Sequence, residues 1–402
     1  MPLVTLRDES IRRGDFYVPR FEIKIAGVNL PLDVLRDVEQ VTYKDNVKEL
    51  DSFELTVNNW DAEAQDFKYV GSETADSLAK NPLHLLFNPC RHNVDVFMGY
   101  GENLSLMVTG NFTTLEPNFS SGAPTLNVRG LNVLHQLRRK PFSYAWEGEK
   151  TSKIAKSFET LPDPSDRKQK RFPLPVEIDP NSIEKEKKIT YLAQNNQYDI
   201  DFLLALARRI GYVVFVKEKE LKKNRVVKPR RLYFGPSDAN HPGLRPVTFE
   251  LKWGISLMDF KPTLTTANQI KSVTVHGWNR STKQSITGRA SLDDPKSKLN
   301  RDLYKHLENC DAREERVVDK PVCSQKEADE LARGILLERS KDLVKASGTC
   351  VGLPDLRAGQ RVRIAGLGAR FSGEYFITDT THTINDNGYI TKFNGRREEP
   401  GK

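Results

Sequence analysis

Apolar and polar side chains alternate along short segments in the first third of the chain. The alternation is clearest in residues 52–59, SFELTVNN, where Phe53, Leu55 and Val57 fall on one face. A period of two residues is typical of strands with one buried face. Glycine, asparagine and proline separate the segments, which favours a β-barrel or a β-sandwich. The predicted strands are residues 21–27, 52–59, 94–101, 105–115 and 124–130.

The pattern changes to a helical period in the middle of the chain. The stretch 194–216 contains the clearest predicted helix, with Asn196 as its cap and Gly211 just beyond its end. A strand follows directly over residues 212–216, and residues 230–235 are its predicted hairpin partner. The apolar face of the helix consists of Ile200, Leu203, Leu204, Ala207 and Ile210.

The last third returns to alternating strands and contains one more helix. In residues 324–343, Ser324 and Glu327 form a capping box ahead of an apolar face, so a helix is predicted there. The final stretch, GEYFITDTTHTINDNGYITKF at 373–393, has a turn signal at residues 385–388. It therefore predicts a closing hairpin.

Two regions near the ends of the chain resemble each other weakly in the order of glycine, aromatic and strand residues. The segments 96–101, 108–115 and 122–130 have later counterparts at 356–361, 371–378 and 387–395. Such a repeat predicts two related barrels with an α/β domain between them. We expect a β-rich α+β protein with a first barrel at 1–135, a middle α/β domain at 136–265 and a second barrel at 266–402, the helix near 324–343 being inserted into the second barrel.

The length of 402 residues predicts two to three domains. The composition is that of a globular protein, because 38% of the residues are hydrophobic and 29% are charged. The net charge of +8 is compatible with acidic protein partners, nucleic acid or a membrane surface.

We expect no secretory signal and no membrane insertion, since no run approaches the ~20 apolar residues that span a bilayer. The 4 cysteines contain no C-x-x-C pair, so no metal site and no cofactor are predicted.

Catalytic chemistry is not visible in the sequence. A catalytic histidine needs an orienting carboxylate or a nucleophile beside it, but Asp379 lies three residues before His382 and points to the opposite face of a strand. Asp199 and Asp201 lie at a helix start, where acids complement the helix dipole, and do not share a face. We therefore expect His382 to be structural and the chain not to be an enzyme.

Two basic runs, residues 217–231 and the shorter RKQKR at 167–171, are the local features that favour nucleic acid. A phosphate backbone would be attracted to such a cluster, yet the longer run lies between two predicted strands, where a solvated hairpin tip is the alternative. No aromatic residues interleave with the charges, so base stacking is not implied. The candidate contact residues are Lys222, Lys223, Arg225, Lys228, Arg230 and Arg231.

Residues 189–215, ITYLAQNNQYDIDFLLALARRIGYVVF, resemble the hub family of contractile injection machines, which includes phage late control protein D and the hub part of VgrG spikes. The resemblance covers roughly residues 21–395 in the family's order. Its first motif consists of Gln194, Asp199, Asp201, Phe202, Leu203, Gly211 and Tyr212. Its second motif consists of Gly352, Pro354, Leu356, Gly359, Gly373, Tyr375, His382, Gly388, Tyr389 and Thr391.

This resemblance implies a homotrimer in which each subunit gives two similar barrels to a pseudo-hexameric ring. His382 would then be structural, at a subunit contact. The hub would join an inner tube protein to a separate spike protein, because the chain stops soon after the second barrel, and wedge proteins would surround it. DNA or cargo would pass by. The implied protein is made in the cytoplasm and assembled into the baseplate of a phage tail or tail-like particle.

Two other functions stay open from the sequence. A tail-associated cell-wall hydrolase would need two facing carboxylates or a Cys-His pair. A nucleic-acid-binding protein would use the basic run at 217–231.

Overall fold

The structure, a computed structural model, describes residues 3–5, 8, 18–74, 81–172, 174–222, 225–236, 248–267, 269–279, 282–292, 313–322 and 324–397. Strands dominate, and the predicted β-rich α+β class is confirmed. The described α-helices are α1 (Leu32–Asp37), α2 (Thr151–Ser157), α3 (Pro180–Lys185), α4 (Asp199–Arg209), α5 (Gln325–Ser340) and α6 (Gly368–Phe371). Short 3-10 helices cover Pro82–Leu85 and Val133–Arg138.

The strands follow one another in three groups along the chain. The first group is β1 (Leu3–Val4), β2 (Pro19–Ile25), β3 (Val28–Asn29), β4 (Val38–Asn46), β5 (Ser52–Asn58), β6 (Trp60–Asp61), β7 (Asp66–Phe67), β8 (Asn93–Tyr100), β9 (Asn103–Asn118) and β10 (Thr125–Asn132). The second is β11 (Phe142–Lys150), β12 (Pro162–Asp163), β13 (Asp166–Lys170), β14 (Val176–Ile178), β15 (Lys188–Gln197), β16 (Tyr212–Lys217), β17 (Glu220–Lys222), β18 (Arg225–Lys228) and β19 (Arg231–Pro236). The third is β20 (Thr248–Lys252), β21 (Leu257–Leu264), β22 (Ser272–Asn279), β23 (Gln284–Ser291), β24 (Glu314–Val317), β25 (Val344–Val351), β26 (Arg361–Ala365), β27 (Gly373–Asn385) and β28 (Gly388–Arg397).

Two sets of six strands form the two halves of one continuous sheet. The first half-sheet has the order β2-β8-β9-β10-β5-β4, and the second half-sheet has the order β20-β26-β27-β28-β25-β21. When the six strands of each half-sheet are numbered in chain order, both half-sheets run across the sheet as first, fourth, fifth, sixth, third and second strand. They differ in one pairing, because β2 is antiparallel to β8 whereas β20 is parallel to β26. The structure therefore contains the same strand topology twice.

The two half-sheets also match in register, including their irregularities. A bulge in β9 beside Gly130 has its counterpart in β27 beside Gly395. The register of the β4–β5 ladder shifts between Val38 and Gln40, and the register of the β21–β25 ladder shifts in the same way between Leu257 and Asp259. Of the segments matched in the sequence, the third pair, 122–130 and 387–395, aligns residue for residue in this register. The other two pairs are displaced, because the spacing between glycines differs.

Each half-sheet packs its apolar face into its own core. The first core is formed mainly by alternate residues of β2, β4, β5, β8, β9 and β10, and it also receives Ile384 and Tyr389 from the end of the chain. A separate core in the third group begins at Phe249 on β20. β20 and β21, which precede the expected domain boundary at 265, pair with β26 and β25 of the second half-sheet.

The middle of the chain has its own core between a ribbon, a small sheet and two helices. β11 pairs with β15, β19 lies between β14 and β16, and α2 and α4 pack against them. A fourth core joins β22, β23 and β24 to α5. The hairpin predicted between β16 and β19 is confirmed, with β17 and β18 as an additional small hairpin at its tip.

Helix boundaries depart from the sequence predictions in one respect. Asn196 does not cap α4; it has φ of +47° at the end of β15, and Tyr198 is the cap residue. The ribbon strand β15 was not predicted, and its extension to Gln197 leaves no room for a cap at Asn196. The cap at Ser324 is confirmed, because the Ser324 side chain accepts from the Glu327 amide, while Glu327 Oε1 accepts from Arg209 at 2.9 Å. Gly211 follows α4 with φ of +74°, as predicted.

Candidate functional site

Residues of the first motif surround a buried arginine, Arg171, at the start of α4. Arg171 Nη2 donates to Gln194 Oε1 at 2.8 Å and lies 3.2 Å from Asp199 Oδ1. Gln194 Nε2 donates to the same Asp199 oxygen at 2.8 Å. All three side chains are buried. The amide of Gln194 therefore bridges the cation and the anion, and it fixes the ribbon β11–β15 to the first turn of α4.

Aromatic rings and burial define the environment of this cluster. The Arg171 guanidinium carbon lies 4.7 Å from the ring centre of Phe142 and 5.2 Å from that of Phe158. Burial raises the pKa of the Asp199 carboxyl, although the Gln194 hydrogen bond and the Arg171 charge oppose the shift. The attraction within a buried charge pair of this kind is offset by the cost of desolvating both groups, so the pair alone is weak evidence for stabilisation.

The remaining residues of the first motif have separate positions. Phe202 and Leu203 face the middle core, and Gly211 makes the left-handed turn into β16. Asp201 forms a half-exposed ion pair with Arg138 at 2.8 Å. The Tyr212 hydroxyl lies 3.0 Å from Glu186 Oε1.

A second buried arginine, Arg357, joins the two half-sheets. Its Nε donates to Asp45 Oδ2 at 2.8 Å, and its Nη2 donates to the Tyr43 hydroxyl and to the Met107 carbonyl, both at 2.6 Å. The Ala358 amide lies 3.2 Å from both Asp45 oxygens. Asp45 and Tyr43 belong to β4 of the first half-sheet, whereas Arg357 precedes β26 of the second.

A second carboxyl lies close to this ion pair. Asp51 is buried, and it accepts from the Asn46 amide at 3.3 Å. Burial and the nearby Asp45 charge raise the pKa of Asp51 to about 7, although Arg357 opposes the shift. One buried arginine thus lies near two carboxyl groups, and burial with the charge of the first raises the pKa of the second, Asp51.

Residues of the second motif converge on His382. Its Nε2 donates to the Leu356 carbonyl at 2.9 Å, and its Nδ1 lies 3.0 Å from the Tyr389 hydroxyl and 3.1 Å from Thr391 Oγ1. The Leu353 amide donates to Thr391 Oγ1. His382 is fully buried within its own chain, so the expected contact with another subunit is corrected to an internal one.

Steric constraints explain why glycine occupies two positions of the second motif. A Cβ on Gly352 would lie 2.1 Å from the Tyr389 ring, so only glycine lets the ring reach His382. Gly359 has φ of +82°, which favours glycine. Of the motif's other members, Gly373 and Gly388 begin β27 and β28, Pro354 is buried, and Tyr375 is buried in the core of the second half-sheet.

Carboxylates neutralise the basic run at 217–231 wherever its side chains are described. Lys228 lies 3.0 Å from Glu220, and Arg230 lies 2.7 Å from Glu218. Arg231 pairs with Glu177. Lys223 lies outside the described residues, as do the side chains of Lys222 and Arg225. The Glu218 side chain also accepts from the Thr109 amide, so the base of this hairpin rests on the first half-sheet rather than standing free in solvent.

Catalytic and metal sites do not emerge from the described residues. No group of three or more His, Cys, Asp or Glu side chains is placed to hold a metal ion within that part of the chain. Cys90 is exposed and Cys350 is buried, while Cys310 and Cys323 lie outside the described residues. In the described ranges, no helix combines the length and the apolar character that a membrane crossing needs.

The sequence profile of the Alg8 N-terminal domain matches residues 175–386, more than half of the chain. The chain belongs to the Alg8 N-terminal domain family. The matched part of this Alg8 N-terminal domain protein contains Gln194 and Asp199, and it also contains His382 with its Leu356 partner. No curated protein matches the sequence.

Solved structures of tail proteins share the fold of this Alg8 N-terminal domain protein over almost its whole length. The 43 kDa tail protein of prophage MuSo2 from Shewanella oneidensis has a TM-score of 0.63 at 12% identity, covering 94% of this chain and 98% of its own. A tail protein from Neisseria meningitidis MC58 has a TM-score of 0.63 at 13% identity, covering 96% and 98%.

An injection-system protein has the same fold. The Escherichia coli protein c3393, a component of the type VI secretion system with structural similarity to the T4 phage tail proteins gp27 and gp5, has a TM-score of 0.52 at 12% identity. The match covers 94% of this chain and 77% of c3393. The resemblance to tail and injection-system hub proteins that the sequence indicated is thereby confirmed as a likeness of fold.

Proposed function

We propose that the chain is the structural hub of a contractile tail or injection-system baseplate. The observation that carries this proposal is the duplicated half-sheet: one chain presents the same six-strand topology twice, in matching register. A homotrimer of such chains presents six similar units to a hexameric inner tube and three chains to a trimeric spike. The symmetry mismatch between tube and spike is thus resolved within one polypeptide.

The domain organisation follows from the strand pairing. We propose that residues 1–135 build the first ring barrel, with the middle domain following from residue 136. The second ring barrel begins with β20 rather than at residue 266, since β20 and β21 pair with the C-terminal strands. The helix α5 and the small sheet β22–β24 form an insertion with its own core.

The hub's work is mechanical, and the buried junction around Arg357 suits it. Sheath contraction drives tube, hub and spike outward together, so the two barrels of one chain must not separate under load. The ladder between β27 and β4 and the ion pair of Arg357 with Asp45 both cross that junction. The partners are the inner tube protein, a separate spike protein and the surrounding wedge proteins, with DNA or cargo passing by. Assembly takes place from the cytoplasm into the baseplate.

Electron microscopy of reconstituted tubes tests this function. Inner tube protein of the same particle, polymerised with the purified chain, is expected to form tubes with an added ring of density at one end only. Addition of the spike protein should extend that ring into a tapered tip. Tubes that end bluntly at both ends, with the chain left in the supernatant, would contradict the hub. The matched control is the same mixture with the chain omitted.

The competing functions give different results in the same preparation. A nucleic-acid-binding protein would retain DNA through the basic run, yet the described cations of that run are already paired with Asp95, Glu177, Glu218 and Glu220. A cell-wall hydrolase would clear a murein zymogram. We expect neither DNA retention at physiological salt nor clearing.

A further inference from the structure

The insertion formed by β22, β23, β24 and α5 is attached to the second half-sheet at one point. β21 ends at Leu264 and β25 begins at Val344, and these two residues are paired in the ladder. One position further on, the Thr265 amide donates to the Leu343 carbonyl. The chain therefore leaves the half-sheet and returns to it side by side. We call β22, β23, β24 and α5 the insertion module.

The insertion module has a core of its own. Its buried apolar residues come from all three strands and from α5, among them Val275, Ile286, Val317 and Leu331. None of the described residues in this core belongs to the core of the middle domain or to those of the half-sheets. Sheet and helix also approach each other closely, because a Cβ on Gly288 would lie 2.2 Å from the backbone of α5. The module is therefore built as a rigid unit.

Away from the point of attachment, α5 meets the rest of the described chain through a stripe of acidic side chains. The acids follow one another along one side of the helix, at spacings that keep them on the same face. Each acid forms an ion pair with a base from a different element: the end of α4, the segment before β15, and β28. The pairs are Glu327 with Arg209, Glu330 with Lys187 and Glu338 with Arg396. We call these three ion pairs the clasp.

The clasp is polar and largely accessible to solvent. Arg209 Nη2 donates to Glu327 Oε1 at 2.9 Å, and the two side chains are 35% and 31% exposed. The side chains of Lys187 and Glu330 are each 39% exposed. Between the second and third acids, a Cβ on Gly334 would come no nearer than 3.7 Å to the Arg209 carbonyl. The helix therefore does not interlock with the middle domain.

Empty space lies beside the clasp. A cavity of about 150 Å³ is lined by Leu204, Ala207 and Val213 of the middle domain and by Glu338 and Arg396 of the clasp. Side chains packed to the density of a protein core leave few voids larger than a water molecule. The insertion module and the middle domain thus meet through charges around a void.

We propose that the insertion module is a hinged unit, which the clasp holds closed against the middle domain. The hinge lies where the chain leaves the β21–β25 ladder, just beyond Thr265 and Leu343. Motion about such a point is expected for a rigid unit whose second contact is small and polar. Opening breaks the clasp but leaves the core of the module and both half-sheets intact. This inference does not depend on the proposed hub function.

Salt controls the balance between the closed and the open position. Each accessible ion pair favours the closed position by about two- to fivefold, so the closed position dominates in dilute buffer. The Debye length falls from about 10 Å at 0.1 M salt to about 3 Å at 1 M, which screens the two accessible pairs of the clasp. The apolar core of the module is not weakened by this screening. High salt is therefore expected to open the hinge without unfolding the module.

Distances between two spin labels test the hinge. One label is placed on the module at Ser285 and one on the middle domain at Lys153, both exposed, in a background with Cys90, Cys310 and Cys323 changed to serine. In dilute buffer we expect double electron–electron resonance to give one dominant distance. At about 1 M salt a second distance should appear, and its population should rise about tenfold. Variants with a single label report any distances between chains.

Matched variants separate the clasp from general loosening. Glu327→Gln with Glu330→Gln should populate the second distance already in dilute buffer, because two of the three ion pairs are lost. Glu330→Lys should do the same, and adding Lys187→Glu to Glu330→Lys should restore the closed distance. Glu315→Gln removes the ion pair with Arg339 inside the module and should leave the distances unchanged.

The outcomes that overturn the hinge are distinct. One unchanged distance at 1 M salt and in Glu327→Gln/Glu330→Gln would mean that the insertion module is fixed by contacts other than the clasp. A second distance that appears equally in Glu315→Gln, or that the charge exchange at 187 and 330 does not remove, would also overturn the clasp. The salt series uses the unaltered charges, so it decides the question even where a variant fails to fold.

Discussion

Replacing Arg357 by methionine is expected to lower the free energy of unfolding by about 3–5 kcal/mol, the usual cost of removing one partner of a buried ion pair. Methionine fills a similar volume but leaves Asp45 without its cation, and Asp45 is only 4% exposed. The Tyr43 hydroxyl and the Met107 carbonyl lose their hydrogen bonds from Arg357 at the same time. Urea unfolding followed by circular dichroism measures the change.

The matched controls separate the effect of the lost charge on stability from the effect of the changed side-chain volume. Asp45→Asn combined with Arg357→Met should recover part of the loss, since the buried charge of Asp45 is then removed together with its cation. Arg138→Met, which breaks the half-exposed pair with Asp201, should cost about 1 kcal/mol or less. A loss for Arg357→Met no larger than that for Arg138→Met would show that the buried pair does not hold the half-sheets together.

Raising the pH from about 4 to 8 is expected to destabilise the folded chain through Asp51. Its pKa is raised from 3.8 to about 7 by burial and by the Asp45 charge, against the opposing charge of Arg357. The folded state therefore binds the proton more tightly than the unfolded state. The resulting stability is fully present below the unfolded pKa and is lost as the pH rises through the folded one.

A titrating group changes the stability by about 1 kcal/mol per pH unit within that window, so the expected effect is a loss of several kcal/mol. Asp51→Asn cannot ionise and keeps an oxygen for the Asn46 amide, so its stability should vary less with pH than that of the wild type. The measurement is the difference in unfolding free energy between the two proteins at pH 5 and pH 8. A constant difference at both values would mean that Asp51 does not titrate in this range.

Local patterns predicted the local structure well. The alternation of Phe53, Leu55 and Val57 became the buried face of β5 because a strand with one covered face imposes that period. The helix α4, the cap at Ser324 and the hairpin at 385–388 also needed only neighbouring residues. Such features are fixed by interactions within a few positions of the chain.

Long-range partners could not be predicted in this way. Arg357 and Asp45 are 312 residues apart, and nothing near either of them indicates that they meet. β4 was not predicted as a strand, although its pairing with β27 joins the half-sheets. Arg357 lies between Leu356 and Gly359 of the second motif, but Asp355 in the same phrase is charged as well, so the sequence alone does not mark Arg357 as the buried residue.

Light scattering of the purified protein in solution tests the hub most directly. The account predicts a particle of three times the chain mass of 45.7 kDa, formed by the chain alone or on addition of the spike protein. Three copies would bring six half-sheets into one assembly. A particle that stays at 45.7 kDa at every concentration, with and without the spike protein, would contradict the ring and the proposed hub with it.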